Sequence, residues 1–361
     1  MHRAFAVATI LSLLWAALVD AQTPADSGSA ACSPSQNLAF VCGMDRPEDL
    51  AHIPATRWLI ASGFSEGAGL KLVDTRARTM RLWYTGQPDQ QRLGAKSFGD
   101  CPSAPDLRLL NVQGISLRRR GADRYTLHAT NHGGRESVEI FEIDASGDEP
   151  TLTWTGCVLT PPGIAANSVA TYSDGTILIS VLTHPGKTIT DFVRGDITGG
   201  VYERAPGQAT FHPIPGTELP GNNGLETSRD DNEFYVVAFG WHAVLVFRRH
   251  GGRGPVRKAV APDFMPDNIH WSSGKLILAG MRYDEPACGG LRKIIEGKAD
   301  DMRCHRGYTV AQLDPVTMDF HILDSAGPNP AFNGVSAAVV VGKQLWLGSY
   351  QAERLAVSDG R

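Results

Sequence analysis

The sequence lacks the basic stripe of a nucleic-acid binder: its longest basic run is Arg118-Arg119-Arg120, and its formal net charge is −4 over 361 residues. Phosphate neutralisation needs clustered Lys and Arg, so nucleic acid is excluded as a partner. There is no CxxC, no HExxH and no paired Cys/His cluster, which removes the common zinc sites. There is also no G-x-S-x-G elbow and no recognisable Ser-His-Asp arrangement, so a covalent serine mechanism has no candidate nucleophile. Long amphipathic helical patterns are almost absent, and past Val19 no apolar run approaches a stable membrane span.

What is present is punctuation. The chain has 39 Gly and 22 Pro, and its apolar residues fall in short Val-, Ile-, Leu- and aromatic-rich runs bounded by Gly, Pro, Asn and Asp, the pattern of an all-β protein. Strands are predicted at Arg57 to Ser62, Tyr125 to Thr130, Val138 to Ile143, Thr176 to Val181, Glu233 to Ala238, Val244 to Arg249, Lys275 to Ala279 and Gln344 to Gly348. The start is different: His2 and Arg3 precede an apolar run from Ala4 to Val19 that ends Val19-Asp20-Ala21. That is the form of a signal peptide, residues 1–21, with a retained anchor as the alternative. Residues 22–36 form a flexible leader and 37–361 one domain, expected as a secreted or periplasmic monomer. Six cysteines remain after cleavage, Cys32, Cys42, Cys101, Cys157, Cys288 and Cys304, and an even number bound for an oxidising compartment predicts disulfides. Only Cys288 with Cys304 is local enough to pair from the sequence.

Aligning the strands on what precedes them exposes a repeat. A polar, turn-like residue followed by an aliphatic one recurs six times, at Glu48-Asp49-Leu50, Gln113-Gly114-Ile115, Asn167-Ser168-Val169, Asn223-Gly224-Leu225, Asp267-Asn268-Ile269 and Asn333-Gly334-Val335. The aliphatic members are 65, 54, 56, 44 and 66 positions apart. Four strands' worth of chain per unit, six times over, predicts a six-bladed β-propeller. The segment Asn37 to Val41 is expected to complete the last blade and close the ring, which removes exposed edges.

In a propeller the innermost strand of each blade lines a central tunnel, so residues at one phase before that strand converge on the axis. Here they are Glu48, Gln113, Asn167, Asn223, Asp267 with Asn268, and Asn333. Carboxylate and amide oxygens without thiols suit a hard cation, Ca²⁺ ahead of Mg²⁺, in a central metal-binding tunnel. The alternative is that Asn-Gly and Asp-Asn are only turn residues.

At Pro47-Glu48-Asp49-Leu50, at Thr130-Asn131-His132 with Val138-Glu139-Ile140-Phe141, at Asn223-Gly224 and at Asp267-Asn268-Ile269, the chain resembles the calcium-dependent six-bladed propeller hydrolases of the paraoxonase and arylesterase type. The gluconolactonase and senescence-marker family is a more distant likeness. The resemblance implies Glu48, Asn167, Asn223, Asp267 and Asn268 as ligands of a catalytic calcium. It implies a second calcium at Asp49 and the carbonyl of Ile115, although Ser168 stands where that site's third ligand, an Asp, is expected. Of the family's histidine pair, the outer member matches His132, and Gln113 replaces the inner one. With Gln113 unable to act as a base, water activation falls to the metal or to Glu48 or Asp267. The implied activity is hydrolysis of lactones or aryl esters, small molecules, with the metal acting on the carbonyl and no covalent nucleophile. The alternatives are a non-catalytic ligand-binding propeller, and a strictosidine synthase-like or sugar-lactone reaction on the same scaffold.

Two long loops, about Thr183 to Gly199 and Arg282 to Arg306, are expected over the metal face. The second includes a short helix within Leu291 to Met302, and its Arg292, Lys293 and Lys298 are placed to meet an acidic substrate. Trp241 and Tyr283, with Phe192 and Tyr350, are candidate pocket walls, and Gln113, Trp241 and Tyr283 are the substrate-binding candidates.

Overall fold

Short apolar runs separated by tight turns fold as antiparallel strands, and the computed structural model arranges them in six four-stranded sheets. It describes residue 1 and residues 32–92 and 101–359. The remainder of the predicted signal peptide and residues 22–31 of the leader lie outside the described residues.

Each sheet is one blade of a six-bladed β-propeller. The innermost strands are Leu50–His52, Val112–Arg119, Ser168–Thr171, Asn222–Thr227, Phe264–Ser272 and Val335–Val341. These begin at the six recurring polar-aliphatic positions. Every predicted strand is present with ends shifted by a few residues; Glu233–Ala238 is unchanged, whereas Lys275–Arg282 runs longer than expected.

Ring closure follows the expected route. The strand Ala39–Cys42 pairs antiparallel with Arg354–Ser358 and becomes the outer strand of the last blade. A disulfide from Cys32 to Cys42 pins it. A second disulfide joins Cys101 to Cys157, tying the entry to blade 2 to that blade's outer strand, and a third joins Cys288 to Cys304. Three disulfides are the mark of an oxidising compartment. Among the described residues no helix is long and apolar enough to cross a membrane.

A separate apolar cluster fills each of the six gaps between adjacent blades. Between blades 4 and 5, for example, Tyr235, Val237, Val244 and Val246 pack on Phe264, Ile269, Leu276 and Leu278. Burial of a side chain of this size contributes about 1.5–3 kcal/mol, so each interface holds its two blades at a set spacing. That spacing fixes distances across the tunnel.

Both long loops lie on the face where the inner strands begin. The first carries a helix, Ile189–Val193, started by a capping box between Thr188 and Asp191. The second does not contain the expected helix. It forms two small hairpins, Asp284–Glu285 with Gly290–Leu291 and Ile294–Ile295 with Lys298–Ala299. The cause is local: Glu296 and Gly297 both have positive φ, 48° and 79°, as a two-residue hairpin turn requires. The loops meet where the Ala299 N–H donates to Thr190 Oγ1 at 2.9 Å.

Candidate functional site

Most of the ring residues sit at breaks in strand pairing. Bulges interrupt the inner pair of blade 2 between Val112 and Ile115, of blade 4 between Asn222 and Leu225, and of blade 5 between Pro266 and Ile269. A bulge breaks the two-residue alternation and re-aims side chains, which is how both Asp267 and Asn268 reach the same centre. Hydroxyls from neighbouring blades clamp the backbone: Ser336 Oγ donates to the Glu48 carbonyl at 2.6 Å, and Ser180 Oγ to that of Asn223 at 2.5 Å.

Glu48, Asn167, Asn223, Asp267 and Asn268 are all more than nine-tenths buried. Asn268 Nδ2 donates to Glu48 Oε1 at 3.1 Å, joining blade 5 to blade 1. One oxygen on each of the five is buried without a hydrogen-bond partner: Glu48 Oε2, Asn167 Oδ1, Asn223 Oδ1, Asp267 Oδ1 and Asn268 Oδ1. An unsatisfied buried acceptor costs about 1–3 kcal/mol. Five such oxygens, carried at the starts of inner strands, are hard donors of the kind an oxygen-seeking cation takes, and calcium takes about six to eight such ligands. The donor set fits. Among the described residues no group of three or more His, Cys, Asp and Glu is arranged to hold a metal; this set has two carboxylates and three amides.

The turn explanation fails for Asn223-Gly224. Gly224 lies within a strand and has no left-handed φ; a Cβ there would stand 2.3 Å from the Asp267 carbonyl oxygen. Glycine is present because the backbones of blades 4 and 5 nearly touch. Asn333, the sixth ring position, takes another role. Its Nδ2 donates to the Met302 carbonyl and Gln351 Oε1, and its Oδ1 accepts from the Arg306 N–H. It anchors the second loop.

The field inside the ring is strongly negative. Burial first, then the charges of Asp267 and Asp49, hold the Glu48 carboxyl well above its ordinary pKa, opposed by the facing amides of Asn268 and Gln113. Burial lifts Asp267 to about 8, with Asp49 adding to the rise and Asn223 opposing it. A cation bound here would have to displace protons, so its affinity is expected to climb as pH rises through the region around 8, by up to tenfold per pH unit for each proton released. Calcium titration calorimetry across that range checks the slope; a flat profile would contradict the assignment.

The second cation site implied by the resemblance does not fit. Asp49 and Ile115 do meet, but the Ile115 N–H donates to Asp49 Oδ2 at 2.8 Å. Asp49 Oδ1 accepts from the Leu50 N–H at 2.8 Å and from His270 Nε2 at 2.6 Å. Burial lowers the His270 pKa, yet Asp49 and Glu226 outweigh it and raise the ring to about 10. An imidazolium thus neutralises Asp49, and both carboxylate oxygens are engaged by N–H donors. Beyond His270 the tunnel widens into a cavity of about 810 Å³ lined by the far ends of the inner strands, away from the ring.

His132 is joined to the ring indirectly. Its Nε2 lies 2.9 Å from Gln113 Oε1, and its Nδ1 lies 2.8 Å from Glu136 Oε2. Both ring nitrogens are thus taken up by side-chain contacts within the protein. Gln113 in turn faces Glu48.

The pocket walls are partly as expected. An apolar cluster of Phe192, Phe239, Met265, Met281 and Met302, with Tyr283 and Tyr350 against it, lies along the loop-covered face. Trp241 is displaced from this role: it is 39% exposed, with Lys258 Nζ 4.9 Å from its ring centroid. The turn Phe239–Trp241 continues into His242 with left-handed backbone, and the pocket receives Phe239, Gly240 and His242 instead.

No family model matches the chain, and no curated protein matches it. Solved structures do. A luciferin-regenerating enzyme superposes with a TM-score of 0.50 at 13% identity, covering 88% of this chain and 92% of that one. A Thermus thermophilus protein described as an oxidoreductase of the glucose dehydrogenase kind gives a TM-score of 0.45 at 12% identity, covering 89% and 99%. At 13% identity the likeness to the luciferin-regenerating enzyme is one of fold, and the six four-stranded sheets make this chain a six-bladed β-propeller.

Proposed function

We propose that the protein is an exported, calcium-dependent hydrolase of lactones or aryl esters. The observation that carries this is the set of five buried oxygens without partners, one each on Glu48, Asn167, Asn223, Asp267 and Asn268. These residues would hold the ion, which when bound would supply Lewis-acid polarisation of a carbonyl and stabilise the charge developing on its oxygen. The chain's own groups do the rest. Glu48 and Asp267 balance the ion's charge and are the carboxylates available to accept a proton from water. Gln113 carries no titratable proton, and His132, committed at both nitrogens, positions the Gln113 amide against Glu48. The Phe and Met cluster beside the ring limits the water that reaches it.

Purified protein is assayed on a panel of lactones and aryl esters, with calcium and after chelation. Turnover that vanishes on chelation and returns with calcium supports the proposal. Gln113 favours a second reading, a non-catalytic propeller that binds a ligand beside its ion. No turnover on any substrate, with calcium still raising the melting temperature, would select it.

A further inference from the structure

The second loop holds two largely covered guanidinium groups whose hydrogen bonds go to backbone carbonyls rather than to carboxylates. The Arg292 side chain is 9% exposed, and its nearest carboxylate oxygen, on Asp300, is 4.0 Å away. Its Nε and Nη2 donate instead to the Asp300 carbonyl at 3.2 and 2.9 Å. The Asp300 carboxylate accepts from the backbone N–H groups of Lys293 and Met302. Arg306 is 3% exposed; its Nη1 donates to the carbonyls of Tyr283 and Gly290 at 2.9 and 3.1 Å, and its Nε has no partner. Buried charges are ordinarily paired.

Arg292 lines a pocket of about 240 Å³ whose other walls include Phe239, His242, Met265 and Tyr283. His242 and Tyr283 are stacked, with ring centroids 5.1 Å apart. Met265 lies in the strand that carries Asp267, so the pocket adjoins the ring. Tyr350 and Tyr283 pack on the same apolar cluster as Met265 and Phe239. The pocket is small, apolar on its flanks, and cationic at one end.

We infer that this pocket is a carboxylate-binding subsite in which Arg292 pairs with an anionic carboxylate on the substrate, so that the natural lactone or ester carries an acid group. The reacting-group half of this statement rests on the proposed hydrolase function; the subsite does not. A guanidinium already held by a neutral carbonyl has its orientation fixed, and an incoming carboxylate could make the direct charge-assisted hydrogen bonds that Asp300, 4.0 Å away, does not.

The test uses phenylacetate and its neutral analogue phenylacetamide, titrated calorimetrically into the full-length protein with chelator present and again with calcium. With chelator, phenylacetate is expected to bind roughly ten- to a hundredfold more tightly than the amide. Arg292→Gln should abolish the preference, and Arg292→Lys should keep part of it. Equal binding in the wild type, or a preference that survives Arg292→Gln, overturns the inference. So does a preference seen only with calcium, which assigns the carboxylate to the ion. Should Arg292→Gln not fold, the wild-type arms and Arg292→Lys still decide. A preference in chelator without hydrolysis of any ester would remove the hydrolase proposal alone.

Discussion

Asp267→Asn is expected to leave the propeller folded, raise the melting temperature of the chelated protein near neutral pH and above, and abolish the further rise that calcium produces. Calcium-dependent turnover should fall by roughly a hundred- to a thousandfold. The two effects have opposite signs for one reason. Asp267 is 6% exposed, and burial, with Asp49 nearby, lifts its pKa to about 8. The unfolded carboxyl ionises near about 4. Between those values the folded chain holds a proton that the unfolded chain has released, so stability falls as pH rises through the window and stays lowered above about 8. Asparagine keeps the shape and Oδ1 and removes that liability, but it also removes half of the ring's carboxylate charge. Melting curves with calcium and with chelator separate the two. A variant that calcium still stabilises as it does the wild type would show that Asp267 is not a ligand.

Gly224→Ala should be strongly destabilising and should disturb the ring directly. The added Cβ would meet the Asp267 carbonyl oxygen at 2.3 Å, the Asn268 Cα at 2.9 Å and the Ile269 nitrogen at 3.0 Å. All three are backbone atoms in a paired strand, so no rotamer can move aside and blades 4 and 5 must separate. Overpacking of this kind costs about 3 kcal/mol or more, a drop of roughly 5–10 °C in melting temperature. The same shift moves Asn223 away from Asp267 and Asn268, so calcium stabilisation should be lost as well. Gly327→Ala is the control, since a Cβ there meets nothing within 4 Å. If Gly224→Ala melts with the wild type and keeps its calcium response, the close approach of the two blades does not set the ring.

The blade count and the ring were legible because they depend on phase. A polar residue ahead of an aliphatic one, repeated six times, needs no three-dimensional information, and Asn268 of blade 5 meets Glu48 of blade 1 where that phase puts them. What escaped depends on register across blades. His270 lies two residues past Asn268 and looks like an ordinary strand residue; only the approach of blade 5 to blade 1 sets it on Asp49. Glu136 likewise becomes the partner of His132 through a tight turn in blade 2. The Glu296-Gly297 turn was the available signal for the lid hairpin, and the charged, apolar mixture around it read as helical. Trp241 was misplaced by one turn: its position after a second strand was right, but the left-handed His242 directs the chain so that Phe239 faces inward.

Closure by the strand Ala39–Cys42 on Arg354–Ser358 has a consequence for the order in which the protein is made. Glu48 leaves the ribosome early and Asn268 late, and they belong to blades separated by the sixth, whose own Ser336 holds the Glu48 carbonyl. A nascent chain lacking its final strands therefore presents the acidic and amide donors on a split ring. If the ring holds the proposed ion, tight retention would come only to a finished molecule; ion capture would then act as proof of completion, and its release would be the earliest sign that the seam has parted.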